Sequence, residues 1–279
     1  MRLGILIIGS LYWDPSRVRC RWRQSRLSCT EERRVMVPIR YGRISVKRGR
    51  THTMVFARSC SGAATLGTGL VVPARAECCE PEHLFEEAEH LWGAEQDSEE
   101  MSGLCADWGR VSILKNPEVD ARDRILQAWQ TRIRLLGTAY TALPTANGED
   151  PVLDAATGLA LFDWPKDIAT KQGLLGFDLL LMTATRPTLD AGQYPTAEKI
   201  AETWRADTHN NVLYFHNNRH HGITTFEDDR IQALLCGEPS NPEFQNTSLS
   251  IECSFVVTSP RFISNTFSEK IICVVPTIC

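Results

Sequence analysis

Val35-Met36-Val37-Pro38-Ile39-Arg40-Tyr41-Gly42-Arg43-Ile44-Ser45-Val46 is the stretch on which the fold class turns. Val35, Val37, Ile39 and Tyr41 recur at every second position, the spacing of one face of a strand. Gly42 shifts the phase so that Ile44 and Val46 continue the apolar face, which predicts a bulged strand. Pro38 has no amide hydrogen to give to a ladder, which predicts a sheet edge. Upstream, Leu3 to Ile8 is an unbroken apolar run that ends at Gly9-Ser10, as in a strand buried on both faces. Downstream, Thr51 to Ala57 and Gly67 to Val72 add strands before any helical period sets in. Strands in succession favour a mixed or antiparallel sheet over a repeated βαβ unit, so the predicted class is α+β.

Further outward the elements alternate less cleanly. Arg17-Val18-Arg19-Cys20-Arg21-Trp22-Arg23 alternates charged and apolar residues, which fits an extended segment or a loop. Pro81 to Gln96 is the first clear helix. At about 100° per residue, Ala88, Leu91 and Glu95 fall within about 40° of Leu84, while Glu86 and Glu89 fall on the far side and Glu87 on a flank. Glu95 thus sits inside the apolar stripe, where an uncompensated carboxylate costs several kcal/mol and must find a partner. Trp108 to Leu114 reads as one more strand. Asp120 is placed to cap a second helix, carried by Leu126, Trp129, Ile133 and Leu136 and stopped by Gly137. Turn residues crowd 138 to 170, Leu174 to Thr185 is strand-like, and Thr196 and Asp207 open two more helices. The organisation expected is a domain over 1–137, a mainly helical extension with one or two strands over 138–237, and a tail of uncertain order over 238–279.

Composition narrows the class without naming a function. With 43% apolar and 23% charged residues in 279, the chain can bury a core, which excludes a disordered or fibrous protein. No apolar run reaches the roughly 18 to 20 residues of a membrane span, so no membrane association is expected, and a cytoplasmic location is. Ten cysteines without one C-x-x-C pair fit reduced thiols. Residues 1–50 hold 13 Lys and Arg against three acids, yet the whole chain carries −4. Solvated faces or a small anionic ligand account for such a basic segment better than nucleic acid, which the acidic remainder repels.

Ile8-Gly9-Ser10-Leu11-Tyr12-Trp13-Asp14-Pro15 follows the first strand directly and resembles the Y-G-S-L-x-W-x-P loop of the ChaC-type gamma-glutamylcyclotransferases. Leu91-Trp92-Gly93-Ala94-Glu95 falls on the helix where the wider gamma-glutamylcyclotransferase-like superfamily carries a pattern ending in its catalytic glutamate. The resemblance covers about residues 3–115. Ile8 stands in place of the family tyrosine and Ala94 in place of an arginine. It implies a small mixed-sheet barrel with flanking helices, and a cofactor-independent enzyme of glutathione-type metabolism acting on a small gamma-glutamyl-like substrate. A homodimer is compatible with it.

In that chemistry the substrate's α-amino group attacks its own γ-carbonyl, closes a five-membered lactam (5-oxoproline) and expels an amine. Glu95 is the implied base and acid, aided by an apolar setting that lifts its pKa toward neutrality. The backbone N–H groups of Gly9, Ser10 and Leu11 are the implied anion-binding groups, and Arg40, or another amino-terminal arginine, the implied anion clamp. The residues also fit blander accounts, in which Gly9-Ser10-Leu11 is an ordinary turn and Glu95 a core carboxylate paired with an arginine. The scaffold then serves as a non-catalytic binding module. His216 and His220 have the i, i+4 spacing of metal ligands but lack the H-E-x-x-H glutamate, and Cys29 and Cys105 lack a histidine signature, so no metal site and no cysteine nucleophile is expected.

Overall fold

Every residue of β1 (Leu3–Ile7) is buried, as its unbroken apolar run requires. A computed structural model describes residues 1–46, 50–100, 103–141, 151–206 and 212–237, and the tail expected at 238–279 and the helix opening expected at Asp207 lie outside them. After β1, residues 17–26 form α1 (Arg17–Arg26), capped by Ser16, whose side chain accepts from the Arg19 N–H. The extended or looped reading of this segment is corrected. Its charged-apolar alternation mimics a strand, but the helical period puts Arg19, Trp22, Arg23 and Arg26 on one side, with Arg19 and Trp22 buried.

The stretch from Val35 to Val46 makes two strands where one bulged strand was expected. Pro38 separates β2 (Arg33–Val37) from β3 (Ile39–Ser45), and the two lie in different sheets. A residue with no N–H and a fixed φ is a natural point for the chain to leave one ladder and join another. The predicted bulge is present, with the register against β4 (Thr51–Phe56) shifting between Tyr41 and Arg43. β3 and β4 form a two-stranded sheet of their own.

The remaining strands are β5 (Gly67–Pro73), β6 (Cys105–Ala106), β7 (Gly109–Lys115), β8 (Leu153–Asp154), β9 (Leu159–Ala160), β10 (Lys166–Asp167) and β11 (Leu179–Thr185). With β1 and β2 they make a nine-stranded mixed sheet in the order β10-β2-β5-β1-β11-β7-β9-β8, β6 pairing with β7. The path is open at both ends, so among the described residues no strand pairing closes the barrel that was expected. β11 runs parallel to β1 and antiparallel to β7, which puts residues from beyond position 137 in the middle of the sheet. The sheet therefore crosses the boundary expected at 137.

Seven helices surround the strands among the described residues. α2 (Pro81–Gln96) has the bounds read from sequence, with Pro81 as its first residue, where the missing N–H costs nothing. It packs against α1, α3 (Arg124–Leu136) and β11. Asp123, and not Asp120, caps α3 by accepting from Ile125 N–H, and Gly137 ends it. A short α4 (Thr138–Thr141) follows. α5 (Ala197–Arg205), α6 (Val212–His220) and α7 (Asp228–Leu235) come from the carboxyl-terminal half. Trp204 of α5 stacks edge-on to Tyr41 at 5.2 Å and lies 5.2 Å from Phe215 of α6, so these helices cover the β3–β4 pair. No helix among the described residues is long and apolar enough to cross a membrane.

Candidate active site

Where β1 ends, the chain turns back on itself. Tyr12 N–H donates to the Gly9 carbonyl, and the Trp13 and Asp14 N–H groups both donate to the Ser10 carbonyl. Gly9 is required here by a close approach, since a Cβ on it would stand 2.7 Å from the Tyr214 hydroxyl of α6. That hydroxyl accepts from Met54 N–H at 3.3 Å, so α6, β4 and the turn meet at one point.

Two arginines on one face of α1 hold the turn from behind. Arg23 donates to the carbonyls of Leu11 at 2.6 Å and Asp14 at 2.8 Å. Arg19, with a side chain only 9% exposed, pairs with Asp14 at 2.8 Å and reaches Ser10 Oγ at 3.3 Å. The same guanidinium donates to the carbonyls of Ala94 at 3.0 Å and Glu95 at 3.3 Å, the open end of α2. A cation there also meets the negative end of the helix dipole. One side chain thus fixes the distance between the opening turn and the last turn of α2. Two of the thirteen amino-terminal cations are used in this internal way.

The consequence is a shared cavity of about 800 Å³ whose lining includes Gly9, Ser10 and Leu11 from the turn and Glu95 from α2. Glu95 is half-buried. Its surroundings differ from the apolar setting expected, because Arg43, Asp97 and Asp107 line the same cavity. Arg43 lies over the Trp108 ring at 4.5 Å, and Trp108 stacks on Trp92 of α2 at 5.0 Å. Burial pushes the Arg43 pKa down, and the nearby Glu95 carboxylate is the largest influence pushing it back up. Arg43 shares the lining of the cavity with Glu95, as do Arg19 and Arg186.

Arg40 is elsewhere. It pairs with Glu227 at 3.6 Å and lies over the rings of Tyr194 at 4.4 Å and Phe226 at 5.6 Å, where it fastens β3 to the start of α7. Of the five residues singled out by sequence, the structure brings Gly9, Ser10, Leu11 and Glu95 together and leaves Arg40 outside. The most deeply buried acid of α2 is Glu87, 3% exposed and paired with Arg26 at 3.0 Å. Burial pushes its carboxyl up and Arg26 draws it back. The buried face of α2 is wide enough to include this flank.

Sequence reasoning missed Arg19, Arg43, Trp108 and Tyr214. Arg19 had a signal, since Ser16 is an N-cap residue just after Pro15 and a helical period from there aligns Arg19 with Arg23. The others had none, because each comes to the cavity only through long-range packing. No group of three or more His, Cys, Asp or Glu side chains that could hold a metal occurs among the described residues. Cys105 is half-buried, and burial raises its thiol pKa, which works against a thiolate nucleophile.

No family model, no curated protein and no solved structure matches the chain.

Proposed function

We propose that the protein is a gamma-glutamylcyclotransferase-like enzyme that cyclises a gamma-glutamyl substrate to 5-oxoproline and releases an amine, and that its open mixed sheet is a divergent form of that superfamily's fold. The observation that carries the reading is the single cavity lined by both the Gly9-Ser10-Leu11 turn and Glu95. These are the two features that the sequence resemblance picks out independently, and they lie 84 positions apart.

The reaction needs a base, a place for negative charge and an enforced orientation. Glu95, as a carboxylate, accepts a proton from the substrate's α-ammonium group. The freed nitrogen attacks the γ-carbonyl carbon, forming the lactam C–N bond. As the tetrahedral centre collapses, the bond to the leaving nitrogen breaks, Glu95 returns the first proton to that nitrogen, and the second proton lost by the attacking nitrogen ends on the released amine as its ammonium, so no external reactant is consumed. Arg43, held by its stack on Trp108, is the cation for the substrate's α-carboxylate, the role first given to Arg40. The turn, fixed by Arg19 and Arg23, supplies backbone dipoles beside the reacting carbonyl. No metal or cofactor enters any step.

The test is to incubate the protein with glutathione and a panel of gamma-glutamyl amino acids and amines and to quantify 5-oxoproline. Release by the wild type, with Glu95→Gln slower by roughly 100-fold to 10,000-fold, is the expected result. Release from no donor at all favours a binding module on the same scaffold.

A further inference from the structure

A second cavity of about 790 Å³ lies beside the first, and Ile44, Thr188 and Leu189 line both. The partition is tied down, with Thr188 N–H donating to the Gly42 carbonyl at 2.7 Å and Thr188 Oγ1 accepting from Ile44 N–H at 3.3 Å. The walls come largely from the carboxyl-terminal half, through Tyr194, Thr203 and Trp204, with Thr51 and His52 contributed by β4. The charged groups stay at the rim, where Lys199 and Glu202 pair with each other at 3.1 Å with side chains 61% and 70% exposed. The interior therefore offers rings and hydroxyls.

His52 is part of the wall of this cavity and is held in place by Thr203. It is 6% exposed, and burial, followed by the charge of Lys199, pushes its pKa down, which favours the neutral ring. Thr203 Oγ1 gives its hydrogen to the Lys199 carbonyl at 2.8 Å and accepts from His52 Nε2 at 3.4 Å. This fixes the hydrogen on Nε2 and makes Nδ1 a buried acceptor with no donor among the described residues.

We propose that this second cavity receives the amine half of the substrate, so that the substrate class is a gamma-glutamyl conjugate of an aromatic amine or aromatic peptide. The inference rests on the reading of the first cavity as the cyclotransfer site. The γ-glutamyl group lies between Glu95 and the turn, and the chain beyond the scissile amide crosses Ile44 and Thr188. Its ring then lies against Tyr194 and Trp204, both of which line the second cavity. A cavity of about 800 Å³ already lies near the upper end of the roughly 300–1,000 Å³ range for ligand pockets. A γ-glutamyl group with a small amino acid leaves the second lobe unused.

The experiment compares kcat/KM for gamma-glutamylglycine and gamma-glutamyl-tryptophanamide in the wild type, in Thr203→Trp, which fills the second cavity from a helix surface, and in Tyr194→Ala, which removes one of its walls. The wild type is expected to favour the tryptophanamide donor at least tenfold, and both variants to lose at least tenfold of that preference, with thermal melts showing that they fold. Equal use of the two donors, or a preference that survives both variants, overturns the proposal. If neither donor yields 5-oxoproline, cyclotransfer fails, and the second cavity is read separately by calorimetry with free tryptophanamide. Binding to wild type that is lost in Thr203→Trp supports the aromatic-amine site, and absent or unaltered binding overturns it.

Discussion

A Cβ at position 9 would touch the Tyr214 hydroxyl at 2.7 Å, whereas the nearest ring carbon stays 3.6 Å away. The clash is thus with one oxygen atom, and it can be removed without emptying the site. Gly9→Ala alone is expected to destabilise the protein by about 1–3 kcal/mol, the usual cost of overpacking. In a Tyr214→Phe background the same change is expected to cost less than about 0.5 kcal/mol, since the phenylalanine ring leaves room for the methyl group. Urea denaturation of the four proteins measures this coupling, and additive costs would show that the hydroxyl does not touch the turn. Arg43 has a different signature. Arg43→Ala is expected to raise KM for gamma-glutamyl donors more than it lowers kcat, as loss of a binding cation does, whereas Arg40→Ala affects stability and not KM. From sequence these two arginines were indistinguishable, because which of them lines the cavity with Glu95 depends on the bulge at Gly42 and on a stacked tryptophan 65 residues away.

α1 and α2 matter as a pair. Removing the Arg19 guanidinium breaks the 2.8 Å ion pair of the mostly buried Asp14 and uncaps the end of α2, so Arg19→Ala is expected to cost roughly 3 kcal/mol. Arg19→Lys should recover little of it, because an ammonium cannot serve Asp14, Ser10 and two carbonyls at once. The midpoint of urea unfolding reads both. Among the elements, α2 was legible to the residue, since Pro81 marks its start and its apolar positions repeat at the helical period. α1 was not, because every second residue from Arg17 to Arg23 is an arginine and imitates a strand. The division at Pro38 was half legible: the missing N–H announced an edge, and only tertiary structure shows that the chain changes sheets there.

At the scale of the whole molecule, β11 decides what can fold alone. Leu179, Leu180, Leu181 and Met182 are fully buried between β1 and β7, and parallel pairing across more than 170 positions leaves no local trace in a sequence. A fragment of residues 1–137, the domain read from sequence, is expected to be unfolded by circular dichroism, whereas residues 1–237 melt cooperatively. The pH dependence of stability also belongs here. Burial pushes the Asp228 carboxyl up to about 6, against the opposing hydrogen bonds from Thr225 and the charge of Arg219. Its pKa is thus higher folded than unfolded, so its contribution to stability is full below about pH 4 and is lost as pH rises through about 6. Asp228→Asn is expected to stabilise the protein above pH 7 by an amount on the order of 2 kcal/mol and to change little near pH 4. Thermal melts across that range check the sign.

The proposed reaction requires a gamma-glutamyl donor to sit between Glu95 and the turn after β1. Glu95→Gln keeps the cavity's shape while removing the base, so a crystal of that variant soaked with donor should hold the uncleaved molecule. The account predicts the donor's α-amino nitrogen within about 2.6–3.2 Å of the side chain at position 95 and its reacting carbonyl beside Gly9 to Leu11. A donor bound elsewhere, or an empty cavity at saturating donor, would contradict it.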